Sequence, residues 1–574
     1  MTLIRHIEIE NFRSIRRFKW FPATGINCLV GPGDSGKSTV LDAIDLCLGA
    51  RRNFAATDSD FYQLDPDKPV RIRITLGELD PALMGLEAYG VYLRGLDLAA
   101  KTFHDEPGAG LESVLTLQLL IESDLEPQWT LWSKRAEEQG ESRNIRWSDR
   151  LTLAPTRLGA LADNNLSWRR GSILNRVSDD KIEAASALAQ AARDARESFG
   201  DELNEQLEDT LTLVDETAKQ LGITSSVETQ ALLDAYSISF SGGAISLHNS
   251  DGVPLKNLGL GSMRLLIAGL QRAAAKNASI VLVDEVEHGL EPHRIMRLLD
   301  ALGAKEADPA QQVFMTTHSP VALRELSGHQ LHILRSQNNE HVAHAVGTAD
   351  AIQGTIRLFP EALLAPSILV CEGASEIGLV RGLDQYRFEN AEQAVAACGV
   401  AIVNGGGKEM HQRALAFQAL GYRVALLRDS DVAPPEDLEK QLVANHGDIF
   451  CWADDDKIEA ALFTNLSDDA IGQLLDHAIE RLGEALIDSQ IKSASQNTTD
   501  LAAIQFEGFL GEYTTKSRQT LAAASSTKKN PWFKNISIME DAARSIIAPD
   551  LDHADRPFTS VAEALFNWVT DAGQ

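Results

Sequence analysis

A glycine-rich run near the N-terminus has the residue types and spacing of a phosphate-binding loop. The run GPGDSGKST fits the pattern G-x-x-x-x-G-K-[ST], and its candidate binding residues are Gly31, Gly33, Asp34, Ser35, Gly36, Lys37, Ser38 and Thr39. Backbone N–H groups of such a loop bind phosphate oxygens, the lysine reaches the β- and γ-phosphates, and the next hydroxyl holds Mg²⁺. A strand-like run (Ile26–Val30) precedes the loop and a helix-like run (Thr39–Leu48) follows it. The sequence therefore predicts a P-loop that binds ATP and Mg²⁺.

Further along the chain, two apolar runs end in residues that could hydrolyse a bound nucleotide. The run Ile280–Glu285 ends in Asp284 and Glu285. We expect Asp284 to support Mg²⁺ through water and Glu285 to act as the general base that polarises the attacking water. The run Val313–Ser319 ends near His318, which can contact a γ-phosphate. Together with the P-loop, these runs predict an ATPase.

A second glycine turn, with Gly261 and Ser262, leads into the predicted helix Met263–Ala275. It offers a second helix N-terminus that can bind an anion.

Carboxylates also follow predicted strands in the second half of the chain. Glu372 follows the strand Ser367–Cys371, and Asp429 and Asp431 follow the strand Arg423–Arg428. Their spacing puts both aspartates on one side of an extended segment. Strands of a parallel sheet end side by side, so the three carboxylates should converge at one edge. Their mutual repulsion predicts a divalent cation there.

Composition limits the class of protein. The chain has 574 residues, of which 44% are hydrophobic, and a formal net charge of −29. No apolar run reaches the ~18 residues of a membrane span. The five scattered cysteines favour reduced thiols in a cytoplasmic protein. DNA would have to bind locally. Candidate basic patches are Arg13–Lys19, Arg143–Arg150, Arg169–Arg176 and Lys528–Lys534.

The order of the nucleotide motifs resembles the ABC ATPases, in particular their SMC-like and RecF-like branch. The segment Ile7–Ser14 ahead of the P-loop strengthens this resemblance. The segment Leu258–Ser262 keeps only some positions of the family's L-S-G-G-Q signature. The resemblance implies ATP-driven dimerisation, with Gln63 as a candidate Q-loop residue.

The order E…G-G-G-K…D-x-D in the second half resembles the Toprim domain. An ATPase followed by Toprim resembles the OLD (overcoming lysogenization defect) family of ATP-dependent endonucleases, which includes the nuclease subunit of Gabija-type phage defence. The resemblance implies a nuclease site with two Mg²⁺ or Mn²⁺ ions. By position its residues are Glu372, Glu376, Asp429, Asp431, Glu459 and Lys534, with Lys528 and Lys529 as alternatives for the lysine.

We therefore expect an α/β chain: an ABC-type ATPase with a helical dimerisation insertion, then a Toprim domain with a Rossmann-like parallel sheet and a helical insertion. The predicted divisions are 1–156 and 236–360 for the ATPase, 157–235 for its insertion, 366–463 for the Toprim core, 464–530 for the second insertion and 531–574 for the completion of Toprim.

The predicted function is an ATP-regulated, metal-dependent DNA endonuclease of phage defence or DNA processing. The expected partners are DNA, a second copy in a homodimer or higher homo-oligomer, and a helicase, with no membrane. An ATP-dependent DNA clamp with an inactive Toprim domain stays open as the alternative. A topoisomerase is disfavoured because no tyrosine-bearing domain is arranged for strand passage.

Overall fold

The computed structural model describes residues 2–51, 54–158, 254–273, 280–337, 340–347, 350–453 and 456–571, with scattered residues between 190 and 252. The predicted helical insertion (157–235), the strand-like run Ser237–Leu247 and the basic patch Arg169–Arg176 lie almost entirely outside these residues. Among the described residues, no helix has both the length and the apolar character needed to cross a membrane.

The chain divides into two compact units, and the first comprises Met1–Cys28, Gly36–Glu325 and Asn338–His341. Its strands are β1 (Leu3–Phe12), β2 (Ile15–Trp20), β3 (Ile26–Val30, whose last two residues belong to the second unit), β4 (Val70–Gly77), β5 (Leu93–Asp97), β6 (Thr102–His104), β7 (Glu112–Ile121), β8 (Gln128–Trp132), β9 (Thr156–Leu158), β10 (Ile280–Val283) and β11 (Gln312–Thr316). Its helices are α1 (Lys37–Leu48), α2 (Leu86–Tyr89), α3 (Lys134–Glu138), α4 (Trp147–Leu153), α5 (Leu260–Ala273), α6 (Pro292–Ala301) and α7 (Pro320–Glu325).

An antiparallel array in the order β6-β5-β7-β4-β1-β2 occupies one part of this unit, with β8 paired to β7. Polar and apolar residues alternate along its strands, and the apolar side chains form one buried face of the array. Ile72 and Ile74 of β4 are fully buried there, and α1 packs against β1, β4 and β7. The opposite face carries polar side chains.

Strands β9, β10 and β11 pair in parallel, with Val281 opposite Val313. Strand β3 starts beside them, since the N–H group of Val313 donates to the carbonyl of Gly25. Strands β10 and β11 are buried throughout, which explains their continuous apolar runs. The P-loop, Asp284 and His318 follow β3, β10 and β11 respectively.

The second unit comprises Leu29–Ser35, Leu326–Gln337 and Val342–Gln574. Strands β12 (Leu331–Gln337) and β13 (Glu340–Ala345, whose first two residues belong to the first unit) precede a parallel sheet of β14 (Ser367–Cys371), β15 (Val400–Asn404), β16 (Arg423–Arg428) and β17 (Asp448–Cys451). The sheet order is β15-β14-β16-β17.

The helices of the second unit cover this sheet and fill the C-terminal region. They are α8 (Asp350–Leu358), α9 (Ala374–Glu389), α10 (Met410–Ala419), α11 (Glu436–Ala444), α12 (Ile458–Asn465), α13 (Asp468–Leu482), α14 (Glu484–Ala494), α15 (Leu501–Leu510), α16 (Thr515–Ser525), α17 (Ile536–Ala542), α18 (Ala548–Asp550) and α19 (Arg556–Asp571). A buried cluster that includes Phe463, Trp532 and Phe533 joins α9 and the helices α12 to α19. The predicted α/β fold class is confirmed.

Candidate active sites

The P-loop forms the turn between β3 and α1, and two of its glycines have no substitute. A Cβ atom on Gly31 would lie 2.7 Å from the carbonyl oxygen of Leu334. Gly36 caps α1 with φ 86°, a left-handed conformation that side chains disfavour. Helix α1 then begins at Lys37, whose side chain is buried. The helix N-terminus therefore stands at the glycine loop, as phosphate binding requires.

Asp284 receives three donors from distant parts of the sequence. The hydroxyl of Ser38 donates to Asp284 Oδ1 over 3.0 Å, and the hydroxyl of Thr316 donates to the same oxygen over 2.7 Å. The guanidinium of Arg157 lies 3.5 Å from Asp284 Oδ2. The structure thus brings together Ser38 and Asp284, the two residues predicted to hold Mg²⁺. Arg157 and Thr316 were missed, since only the folded sheet places them here.

Glu285 is held in an unusual conformation and displays its side chain to solvent. Its φ is 47°, which is rare for a residue with a side chain. The N–H group of Glu285 donates to Thr316 Oγ1 over 2.8 Å. Buried Arg264 donates to the carbonyl oxygens of Asp284, Glu285 and His288. Such anchored strain is typical of functional sites, and here it fixes the backbone of the predicted general base.

His318 is exposed, and its backbone is anchored by a residue that sequence reasoning left unassigned. Glu287 accepts from the N–H group of His318 and from the hydroxyl of Thr317, each over 2.7 Å. The signal for Glu287 was the segment that follows Asp284, where this acid stands four residues after the end of β10.

The second glycine turn differs from the prediction. Helix α5 begins at Leu260, so Gly261 and Ser262 lie inside its first turn and not ahead of the helix. First-turn N–H groups lack intrahelical partners in any case, so the change moves the anion-binding end by about one turn. A Cβ atom on Gly261 would lie 2.6 Å from the carbonyl oxygen of Gly289, and Ser262 Oγ accepts from Arg294 over 3.2 Å.

Gln63 is exposed in a short turn with φ 58°. Nearby, Arg13 ties that segment to α1, because its guanidinium lies 2.6 Å from Asp42 and 3.0 Å from Asp60. Arg157 also reaches Asp42, over 2.7 Å. Arg13 was quoted as part of a motif but not as a site residue.

The carboxylates of the second unit meet at the ends of β14 and β16, as predicted. Glu372 Oε2 accepts from the N–H group of Asp429 over 3.0 Å, and Asp429 Oδ1 accepts from that of Ile458 over 2.9 Å. Strand β16 ends at Arg428, as predicted, and Asp429 follows it directly. Asp431 lies in a bend, so the extended segment expected to carry both aspartates does not continue to it. Asp431 turns towards Lys457, whose Nζ is 3.5 Å away.

A glycine loop after β15 supports the end of β14. The N–H group of Gly405 donates to the carbonyl of Cys371 over 2.6 Å, and that of Gly407 donates to the carbonyl of Glu372 over 3.0 Å. A Cβ atom on Gly405 would lie 2.8 Å from the same carbonyl of Cys371. The predicted glycine turn therefore positions the backbone of Glu372.

Two further glutamates are buried beside this edge. Glu376 lies in the first turn of α9, and its Oε2 accepts from the N–H group of Gly373 over 2.8 Å. Glu459 of α12 is 0% exposed, and neither of its carboxylate oxygens has a hydrogen-bond partner among the described residues. Burying an unpaired carboxylate is costly. A cation is the chemical group that would satisfy it.

The pKa values show that these carboxylates share one electrostatic environment. Burial and the charges of Glu376 and Glu372 raise the pKa of Asp429 to about 8. Burial and the charges of Glu372 and Glu459 raise the pKa of Glu376 to about 7. Burial also raises the pKa of Glu459, although Lys534 opposes it. The charge of Lys457 opposes it as well. Of the three lysines that the sequence offers for this site, Lys534, which is exposed, is the one whose charge acts on Glu459.

The cluster fits a divalent cation by its donor chemistry. Carboxylate oxygens are the ligands that Mg²⁺ and Mn²⁺ prefer, and a bound ion would offset the repulsion that raises these pKa values. Over the described ranges, no three His, Cys, Asp or Glu side chains already converge as a ligand set. The carboxylates thus form a shared site of negative charge whose side chains would close around an ion.

Comparison with known proteins identifies the family of the nucleotide-binding part of the chain. A profile described as "AAA domain, putative AbiEii toxin, Type IV TA system" matches residues 26–324. That range begins at β3 and includes the residues of the nucleotide site from the P-loop to His318. The chain belongs to this family. The match covers more than half of the chain, so the prediction of an ATPase domain is confirmed.

The relatives add a nuclease. The OLD nuclease of Thermus scotoductus is 23% identical over 471 residues, which are 75% of this chain and 83% of the relative. The DNA replication and repair protein RecF of Nitrosococcus oceani is 43% identical over 54 residues, only 9% of this chain and 15% of RecF. The predicted resemblance to the OLD family is confirmed by the first relative, and the RecF match is local.

Among solved structures, an Smc head domain from Pyrococcus furiosus, with an extended coiled coil and bound to the C-terminal domain of ScpA, matches at 15% identity. The match covers 62% of this chain and 100% of that chain, with a TM-score of 0.33.

Proposed function

We propose that this protein is an ATP-regulated, divalent-metal-dependent DNA endonuclease. The observation that carries the proposal is Glu459, a fully buried carboxylate without a partner among the described residues. Its charge contributes to the raised pKa values of Glu376 and Asp429. The OLD nuclease relative supports it, because that alignment covers 75% of this chain. We also propose the domain boundaries predicted from the sequence and the assignment of the second half of the chain as a Toprim domain.

In the nucleotide site, the loop N–H groups and Lys37 bind the phosphates of ATP. Ser38 and Asp284, which already share a hydrogen bond, are placed to hold Mg²⁺. Glu285 accepts a proton from the attacking water, and His318 contacts the γ-phosphate. Ser262, in the first turn of α5, would contact the nucleotide bound by a second copy of the chain. We therefore also propose a homodimer or higher homo-oligomer.

In the second site, the residues that would hold Mg²⁺ or Mn²⁺ are Glu372, Glu376, Asp429, Asp431 and Glu459. Bound there, two such ions would activate a water as the nucleophile and would stabilise the leaving oxygen. Lys534 adds a positive charge at the edge of the cluster and stabilises negative charge that develops on the phosphate. The net reaction adds one water across a phosphodiester bond and leaves one phosphate monoester and one hydroxyl.

DNA as the substrate fits an acidic chain only if contacts are local. Lys534 is exposed beside the cluster, whereas Arg150 of another predicted patch is buried and stacks on Trp129. The proposal therefore places DNA near Lys534. A helicase partner and a role in phage defence stay predictions.

The test is cleavage of supercoiled plasmid with Mg²⁺ or Mn²⁺, with and without ATP. Asp429→Asn should abolish metal-dependent nicking. Asp437→Asn, a matched change of an exposed aspartate on α11, should leave it intact. Lys37→Ala should abolish ATP hydrolysis and show how the nucleotide controls cutting. Hydrolysis of ATP without cleavage under any of these conditions would contradict the proposal and favour the DNA clamp.

A further inference from the structure

The outer face of the antiparallel array carries a polar patch that the proposed function does not use. It lies on the side of the sheet opposite to α1. In β1, Glu8 stands opposite both Lys19 of β2 and Arg73 of β4. Two residues earlier in the same strand, His6 stands opposite Thr75 of β4. The pairing register therefore brings charged and hydroxyl side chains of several strands together on this face.

Arg94 of β5 lies under this patch with unusually few partners for a cation. Its side chain is only 7% exposed, and its Nε atom has no hydrogen-bond partner in the described structure. One terminal nitrogen donates to Thr116 Oγ1 over 2.5 Å and lies 3.4 Å from Thr75 Oγ1. Burial and the neighbouring charge of Arg73 lower the pKa of Arg94 to about 10, and the charges of Asp105 and Glu8 oppose this lowering without reversing it. A buried guanidinium normally has a carboxylate or phosphate partner.

Aromatic rings form the walls around the two arginines. The guanidinium carbon of Arg94 lies 4.5 Å from the ring centre of Phe103 and 4.8 Å from that of Trp132. The guanidinium of Arg73 lies 3.9 Å from the ring centre of the same Trp132. Stacking on rings fixes the planes of both guanidiniums. Nε of Arg73 donates to Gln118 Oε1 over 2.7 Å, and its two terminal nitrogens lie 3.7 Å from Glu8 and from Glu137, at the outer limit of an ion pair. Arg94 is therefore the cation with the least satisfied N–H edge among the described residues of this patch.

These side chains line a cavity of about 260 Å³. Three cations face it, namely Lys19, Arg73 and Arg94, against the single carboxylate of Glu8, which forms an ion pair with Lys19 and lies 3.7 Å from Arg73. His6 adds no charge at neutral pH, because burial lowers its pKa to about 4. The cavity is thus a positively charged site in a chain whose formal net charge is −29.

We propose that this cavity binds a phosphate group, held by Arg94 and Arg73. Two guanidiniums, one ammonium and the hydroxyl of Thr75 or Thr116 offer donors from several directions, which suits the several oxygens of a tetrahedral oxyanion better than the two of a carboxylate. The phosphate is either free, as inorganic phosphate or a mononucleotide, or the 5′-phosphate of a DNA end. The inference is independent of the proposed nuclease site, which lies in the other unit.

Isothermal titration with inorganic phosphate tests the site. All proteins carry Lys37→Ala, which removes the P-loop lysine. The phosphate affinities of the cavity variants are thus compared without a contribution from this lysine. Arg94→Met and Arg73→Gln should each weaken phosphate binding about ten- to hundredfold, the loss expected for a charge-assisted hydrogen bond. Arg297→Met is the control, since Arg297 is exposed on α6 and belongs to none of the candidate DNA-binding patches. It should leave the affinity unchanged.

Two DNA duplexes identify the source of the phosphate. They share a sequence, and one carries 5′-phosphates while the other carries 5′-hydroxyls. If Arg94→Met weakens binding of the phosphorylated duplex only, the ligand is a DNA end. If it weakens inorganic phosphate and dAMP but neither duplex, the ligand is a free phosphate. Arg73→Gln retains Arg94 and guards against a folding defect of Arg94→Met. Absence of saturable phosphate binding, or equal affinity in both variants and the control, would overturn the proposal.

Discussion

Metal binding by the carboxylate cluster should depend steeply on pH. The pKa of Asp429 is raised to about 8 and that of Glu376 to about 7. A divalent ion needs both groups ionised, so binding must release the protons that they hold. Between pH 6 and pH 8 the ionised fraction of Asp429 rises from about 1% to about 50%, and that of Glu376 from about 9% to about 91%. The two factors together predict a rise in Mn²⁺ affinity of about 500-fold.

Isothermal titration in two buffers with different heats of ionisation measures both the affinity and the protons released. We expect about two protons per ion at pH 6 and fewer than one at pH 8. Asp429→Asn should bind Mn²⁺ more weakly, and its affinity should rise only about tenfold between pH 6 and pH 8, which is the part due to Glu376. Asp437→Asn should behave as the unmodified protein does.

An affinity that changes less than about threefold from pH 6 to pH 8 would refute the reasoning. So would binding without proton release at pH 6. Either result would mean that the carboxylates are ionised before the metal arrives, and that burial and repulsion do not set their pKa values.

Three further outcomes follow from single contacts. Because the pKa of Asp429 is raised above its ordinary 3.8, the metal-free protein should lose stability as the pH rises from about 4 towards 8. Its Tm should therefore fall over that range, and Mn²⁺ should restore the Tm at pH 8. Glu459→Gln should lower Mn²⁺ affinity and plasmid nicking about 100-fold while circular dichroism stays unchanged; full activity would show that Glu459 is not a ligand. Gly31→Ala should abolish ATP binding and lower Tm, because its Cβ would lie 2.7 Å from a carbonyl oxygen, whereas Gly33→Ala, with open space around it, should retain its fold and Tm.

Much of the nucleotide site could be predicted because its information is local. The run from Gly31 to Ser38 fixes a turn and a helix start within a few residues, and the apolar run that ends at Asp284 fixes a buried strand. The contacts of Arg13 and Arg157 with Asp42 could not be predicted, because they join segments 29 and 115 residues apart. Only the finished sheet brings them together.

The outer face of the antiparallel array shows a different limit of prediction from sequence, namely which polar side chains become buried. The alternation of polar and apolar residues around His6 and Glu8 is typical of a strand with one face in solvent. In the structure His6 is buried, and so is Arg94, because Phe103 and Trp132 cover them. A period of two predicts which face a side chain takes, but it does not predict what covers that face.

Two aspartates at strand ends show why position in the sequence does not decide chemistry. Asp284 and Asp429 each follow a buried strand of a parallel sheet. Asp284 accepts from Ser38 and Thr316 and lies beside Arg157, so its neighbours supply donors and positive charge. Asp429 faces carboxylates, and its pKa rises to about 8. The first site is organised by the fold itself. In the second, burial and like charges raise the pKa of Asp429, so a proton neutralises part of the cluster near neutral pH and a bound cation must displace it. Metal binding there should therefore be coupled to proton release.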